Sequence, residues 1–301
     1  MDIDSLIAFV AVAETASFSL AGERLHLTQP AVSKRIGALE ARLGARLFDR
    51  IGRRVLITEA GRTLLPRARR ILAELDDCRR ALDNLSGAIA GPLVLATSHH
   101  IGLHRLPPIL RRFAVRHPQV RLDMRFMDSE VACAQVLHGE VELAIVTLPD
   151  VPPAALTLTP LWRDVLVLVT DHVHPLAKQR RVSPQQLMGY PAILPGAGTF
   201  TRRLIDRLFE PLGLEPPVAF STNYLETIKM MVSVGMGWSL LPQIMVDGSL
   251  AALELAGGCP DRRLGVVTHA RQTPSNAARA MLELLACEAP GDGVAAPWRG
   301  Y

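Results

Sequence analysis

Thr28-Gln29-Pro30-Ala31-Val32-Ser33-Lys34-Arg35-Ile36-Gly37-Ala38-Leu39-Glu40-Ala41-Arg42-Leu43-Gly44 is the stretch that decides the reading of this chain. Thr28 is a good helix N-cap, and Pro30 falls in the first turn, where a missing N–H costs little. Val32, Ile36, Leu39 and Leu43 follow in steps of four, three and four, an inner stripe that docks the helix on its own domain. Gln29, Ser33 and Lys34 then point outward. An apolar back with a short polar and basic front is what a helix needs to approach base edges and phosphates in a DNA major groove.

Working outward, Leu6, Phe9, Val10 and Ala13 predict a first helix, and Ser17-Phe18-Ser19 interrupts before a short second helix, Leu20 to Leu25. Beyond Gly44, the segment Arg46 to Thr58 reads as two short strands around a Gly52-centred turn, a wing with Arg53 and Arg54 at its tip. A guanidinium there suits a narrow A·T-rich minor groove. Residues 24 to 70 hold twelve lysines and arginines against Glu40, Asp49 and Glu59, whereas the whole chain is only +4, so the remainder is net acidic. Such a concentrated basic block predicts a nucleic-acid partner.

Phe9, Ala16-Ser17-Phe18, Ala21, Leu25, Thr28 to Ser33, Ile36, Leu39-Glu40, Gly44, Leu47-Phe48, Arg50, Thr58 and Ala60-Gly61 together resemble the signature of LysR-type transcriptional regulators. The resemblance covers the whole winged region. It implies an α/β protein with an N-terminal winged helix-turn-helix, a long linker helix and a C-terminal two-lobed α/β domain of the periplasmic-binding-protein type. The expected boundaries are 1–61 for DNA binding, 62–90 for the linker and 91–301 for effector binding. Lobe 1 takes about 92–162 and 268–290, and lobe 2 about 163–267. Residues assigned to DNA contact are Thr28, Gln29, Pro30, Ser33, Lys34 and Arg35 on the helix, with Arg50, Arg53 and Arg54 on the wing.

In the linker, Ala68, Ile71, Leu75, Cys78, Leu82, Leu85 and Ile89 alternate in steps of three and four, a narrow seam suited to pairing with a second copy. Pro66 is placed to bend its first turns. A homodimer is expected, and the resemblance implies a tetramer built from two dimers. Protein symmetry then predicts an interrupted inverted repeat in double-stranded promoter DNA. Contact with RNA polymerase belongs to the same expectation.

After Gly87 to Pro92 the chain alternates strand-like and helical segments. The strands expected are Leu93–Thr97, Val120–Phe126, Leu143–Thr147, Val165–Thr170, Ala192–Leu194, Val218–Ser221, Trp238–Leu241 and Leu264–Thr268, mainly parallel, with helices filling the gaps. Within the resemblance, polar groups at strand ends and helix starts are the candidate effector contacts. These are Thr97, Ser98, His99 and His100 after the first strand, Thr147 after the third, and Thr199, Thr201, Arg202 and Asn223 in the second lobe. Helix termini without a fixed carboxylate favour a small organic anion.

Other readings carry less. His100 and His104 stand four apart but no third ligand accompanies them, so no metal is expected. Ser98 beside His99 lacks an acid and an elbow motif, and Gly196-Ala197-Gly198 lacks the third glycine of a dinucleotide site. No enzyme activity and no cofactor are expected. The rival is a plain solute-binding protein with the same C-terminal fold. No apolar run reaches about 18 residues, and Met1-Asp2-Ile3-Asp4 is acidic where a secretory leader is basic, so no membrane association and a cytoplasmic, nucleoid-associated location are expected. Cys78, Cys133, Cys259 and Cys287 show no metal spacing and are expected to be free and mostly buried.

Overall fold

The structure, a computed structural model, describes residues 2–51 and 54–288. They form two compact units that divide at Ser86 and Gly87.

In the first unit, α1 (Ile3–Thr15), α2 (Phe18–Leu25) and α3 (Gln29–Leu43) precede a two-stranded antiparallel wing, β1 (Phe48–Ile51) and β2 (Arg54–Ile57), and then α4 (Glu59–Asn84). Each helix opens on a side-chain cap: Asp2, Ser17, Thr28 and Thr58 all accept a backbone N–H from the first turn. Ser17 therefore starts α2 two residues earlier than periodicity alone suggests. Gly22 sits where α2 meets the turn before α3, and a Cβ there would lie 2.7 Å from the Leu27 carbonyl. The core gathers Phe9, Phe18 and Phe48, whose ring centroids lie 5.4 Å and 5.9 Å apart, around Val32, Ile36 and Leu39. Leu43, read as the last member of that stripe, is exposed, one turn beyond the reach of the core.

Two members of the expected seam on the long helix are placed differently. Ala68 is buried in the winged core with Leu64, Leu65 and Leu72 packed nearby, so it belongs to this unit's interior rather than to an open seam. Ile71 and Leu82 are exposed, and so is Cys78. Leu85 is the C-cap, and the helix stops there because Gly87 turns the backbone to positive φ; Ile89 lies beyond the helix.

The second unit runs β3 (Gly91–Thr97), α5 (His99–His104), α6 (Pro107–Arg116), β4 (Val120–Phe126), α7 (Ser129–His138), β5 (Leu143–Thr147) and β6 (Leu156–Thr170). It continues with β7 (Arg181–Val182), α8 (Pro184–Leu187), β8 (Ala192–Leu194), α9 (Phe200–Phe209), β9 (Val218–Ser221) and α10 (Leu225–Ser233). β10 (Ser239–Pro242), β11 (Ala251–Leu255), β12 (Asp261–His269) and α11 (Asn276–Glu288) complete it. Parallel pairing holds for β3 with β4 and β5, for β7 with β11, and for β8 with β9. The centre is antiparallel: β6 pairs with β12, β10 and β11, and β12 pairs with β5. The sheet is thus mixed rather than mainly parallel. The gap before Val165 and the gap after Leu241 hold strands, because β6 is one continuous 15-residue run and β11 pairs with its far end.

The β6–β12 ribbon links two lobes. Lobe 1 stacks β4, β3, β5 and the first part of the ribbon on α6 and α11, with Phe113, Trp162, Met281 and Leu285 in its core. Lobe 2 packs α9 and β8 on the far half of β6 around Trp238 and Phe209. At the junction the register slips between Leu264 and Gly265, a bulge that bends the ribbon. All four cysteines are free. Only Cys133 is fully buried and Cys259 partly so, while Cys78 and Cys287 are exposed on helix surfaces, contrary to the expectation of mostly buried thiols.

Gly265 allows the bulge, since a Cβ there would sit 2.3 Å from the Thr159 carbonyl and 2.9 Å from Leu148 Cδ1. Gly265→Ala is expected to destabilise this unit by about 1–3 kcal/mol. The check is thermal unfolding, in which the transition moves down by several degrees.

Candidate functional site

The outward face of α3 is open. Thr28, Gln29, Pro30 and Lys34 are exposed and Ser33 is partly so. Gln29 Nε2 donates to Ser33 Oγ at 2.9 Å, which sets the amide on that face. Arg35 is turned instead toward α1, where its guanidinium meets Asp4 at 3.2 Å. Arg54 is exposed at the start of β2. The Arg50 side chain and all of Arg53 lie outside the described residues.

In the second unit, the polar groups meet where the two lobes face each other. Ser98, His100, Thr147, Thr199, Thr201 and Asn223 line a single small cavity of about 40 Å³. Three other candidates do not reach it. Thr97 is fully buried and donates to the Ile145 carbonyl at 2.8 Å, tying β3 to β5. His99 packs its ring against Phe126 and Tyr224. Arg202 is taken by Asp206 at 2.7 Å and the Pro195 carbonyl at 3.2 Å.

Residues that sequence reasoning did not single out complete the cavity: Asp128, Ser129, Glu130 and Arg262. Arg262 is the organising group. Its side chain is 3% exposed, and it faces Asp164, itself 2% exposed, directly across the β6–β12 ribbon. Nε donates to Asp164 at 2.9 Å, Nη1 to Thr201 and Nη2 to His100 Nε2 at 2.8 Å. Arg105 adds a second guanidinium 3.5 Å from Asp164.

This arrangement fixes the His100 tautomer. Arginine has no acceptor, so His100 Nε2 must accept. Burial, reinforced by the Arg262 charge, holds the imidazole well below its ordinary value of 6.5, so the ring is neutral. The single ring proton then sits on Nδ1, 3.3 Å from Ser98 Oγ. Ser98 accepts it and keeps its own O–H free to donate. It makes no capping bond to α5, whose N-terminus it precedes.

Across the cavity, two carboxylates of lobe 1 engage donors of lobe 2. Asp128 accepts from Asn223 Nδ2 at 2.6 Å, while Asn223 Oδ1 accepts from Gly196 N at 2.9 Å. Glu130 accepts from the Phe200 N–H in the first turn of α9. Desolvation raises the Glu130 carboxyl above its ordinary range. The premise that no fixed carboxylate occupies the site is therefore overturned, because Asp128 and Glu130 flank the start of α7 and are carried to the lobe boundary by it. Thr199 spends its hydroxyl on α9, accepting from Arg202 N and donating to the Gly196 carbonyl. His100 and His104 part company, since His104 pairs with Glu226 at 3.2 Å.

A helix-turn-helix unit with a wing, joined to a two-lobed domain with a polar cavity between its lobes, defines a DNA-binding regulator that carries a ligand domain. Residues 3–62 match the bacterial regulatory helix-turn-helix family of LysR type, and residues 86–290 match the LysR substrate binding domain. The chain belongs to the LysR family of transcriptional regulators. It is 31% identical over 291 residues to a probable RuBisCO transcriptional regulator of Cyanophora paradoxa, covering 93% of this chain and 90% of that one. Among solved structures it is similar to a full-length OxyR variant from Pseudomonas aeruginosa, with a TM-score of 0.68, 24% identity and coverage of 96% and 94%. It is also similar to full-length CbnR in complex with its target DNA, with a TM-score of 0.62, 22% identity and coverage of 96% and 99%.

The neutral, buried His100 generates a pH dependence. Its value is depressed in the fold, so the unfolded chain binds the extra proton first, and stability falls as pH drops below about 6.5. The expected slope from this one group approaches about 1.4 kcal/mol per pH unit. Thermal unfolding between pH 7.5 and 5.5 checks it, with His100→Gln flattening the acid side of the curve.

Proposed function

We propose that this regulator works as a homodimer on an interrupted inverted repeat and that a small organic anion, bound between the lobes of its C-terminal domain, changes its grip on DNA. The observation that carries the effector reading is the Glu130 carboxylate on the Phe200 N–H. The first turn of a helix of ten residues is a natural carboxylate seat, since its N–H groups lack partners within the helix and the helix dipole favours negative charge. Here the protein's own side chain takes that seat. A carboxylate effector competes with Glu130 for Phe200 N, and the free Ser98 O–H and the second Thr201 lone pair and proton provide further contacts.

The two states then differ in what closes the lobes. With Glu130 on Phe200 and Asp128 on Asn223, the cavity of about 40 Å³ is far below the roughly 300 Å³ of small-molecule pockets. An effector must part these ties, and it shifts the balance only by binding the parted arrangement more tightly.

Exposed Ile71, Cys78 and Leu82 on α4, with Leu75 between them, support pairing with a second copy. Gln29, Ser33 and Lys34 on the open face of α3, with exposed Arg54 at the start of β2, support base and phosphate contact. No helix among the described residues is long and apolar enough to cross a membrane. A cytoplasmic site of action on the nucleoid, with RNA polymerase as the downstream partner, completes the reading.

The test is a nuclease footprint of the purified chain on its own upstream intergenic DNA, with and without a panel of small carboxylates at one fixed salt concentration. A protected inverted repeat that shortens or shifts with one compound is the expected result. Uniform, sequence-independent protection that no carboxylate alters would overturn the proposal.

A further inference from the structure

A second, larger pocket lies beside the cavity, sharing Thr147, Phe200 and Arg262 as a partition. Its volume is about 540 Å³, within the range of small-molecule sites. One wall is α9, through Arg203, Leu204 and Arg207; the opposite wall is the chain after β5, through Leu148 and Asp150; the floor is the β6–β12 ribbon.

Its charges do not balance internally. Arg207 reaches across to Asp150 at 2.6 Å, Arg262 is matched by Asp164, and Asp261 is taken by Arg163. Arg203 and Arg263 remain, and neither is in ion-pair contact with a carboxylate among the described residues. Arg203 is held in place, with its guanidinium 4.8 Å from the Phe200 ring centroid and donating to the Gly198 carbonyl at 2.8 Å. Arg263 is an exposed member of β12 that stands directly opposite Arg163 in the antiparallel register. Like charges facing each other across a ladder are destabilising, and here only one of the two is answered by an acid. Arg203 on the α9 wall, whose charge also acts on Glu130, and Arg263 on the floor thus line one pocket together with the apolar side chains of Leu148, Leu158 and Leu204.

We infer that this pocket is a second ligand site, separate from the cavity proposed to hold the effector, and that it takes a compact dianion on an apolar body. The dianion sits between Arg203 and Arg263, where planar guanidinium forks suit both phosphate and carboxylate oxygens. The apolar body lies against Leu148 and Leu204. A phosphate monoester and an aromatic dicarboxylate share this chemistry. Because Phe200 and Arg262 face both chambers, an occupant bears on the same lobe boundary that the cavity spans.

The test uses the full-length chain and isothermal titration at low, fixed salt with phenyl phosphate, isophthalate and inorganic phosphate as probes. The parent is expected to bind phenyl phosphate or isophthalate saturably and more tightly than inorganic phosphate; preference for one names the anion class. Arg203→Gln with Arg263→Gln weakens that binding at least tenfold, whereas Ser98→Ala, which alters only the cavity, leaves it within twofold. Both arginines are exposed, so the double variant keeps its circular dichroism spectrum; Arg263→Gln alone serves as a milder variant and melts no lower than the parent without added anion. Equal affinity in the parent and the arginine variants would overturn the inference. So would loss of binding in Ser98→Ala, equal binding of inorganic phosphate, or no saturable binding of any probe.

Discussion

The buried cross-strand pair of Arg262 and Asp164 is the interaction on which the rest of the ligand domain depends. Two charges leave water at the one place where both lobes share strands, and such a pair holds only if hydrogen bonds answer the polar groups left over on both partners. The answers come from both lobes: His100 and Arg105 from lobe 1, and Thr201 from lobe 2. Removing one partner of such a pair costs about 3–5 kcal/mol, because the other charge is left buried and alone. The pair therefore fixes what the cavity presents. It sets the neutral state of His100, the direction of its ring proton and, through that proton, the donor character of Ser98.

The same boundary is where the two proposed states of the domain differ. Lobe 1 offers carboxylates from the start of α7, and lobe 2 offers an amide side chain and a helix N-terminus. These groups satisfy each other across a narrow cavity. On the proposed reading, an arriving carboxylate exchanges with Glu130, so the balance between arrangements turns on small differences in binding rather than on creating a new interaction. The bulge at Gly265 places the bend of the ribbon next to this exchange.

Much of this organisation was legible in the sequence, and the exceptions have physical causes. The winged unit was readable because its signals are local: caps at Thr28 and Thr58, apolar steps through Ile36 and Leu39, a glycine at position 44. Ser98, Thr147, Thr199 and Asn223 were readable as a group because they sit at strand ends and helix starts that line one cavity, although Thr199 also serves as the α9 cap. Arg262 and Asp164 were not, since their partnership is set by the register of strands 98 residues apart, which no local pattern encodes. Asp128 and Glu130 were missed for a related reason. A carboxylate at the start of α7 looks like ordinary helix-terminus chemistry until the opposing lobe is in place. Strand direction was likewise hidden, because a buried run reads the same whether its neighbour is parallel or antiparallel.

On the proposed reading, the state of the lobe boundary sets the grip on DNA. Asn223→Ala combined with Glu130→Ala cuts both carboxylate ties while leaving the Arg262 and Asp164 pair intact. Footprinting this variant on the parent's target DNA, with no added compound and at one salt concentration, tests the claim directly. The account predicts a footprint of altered length or position. A variant that folds like the parent and protects the same bases with the same affinity would contradict it.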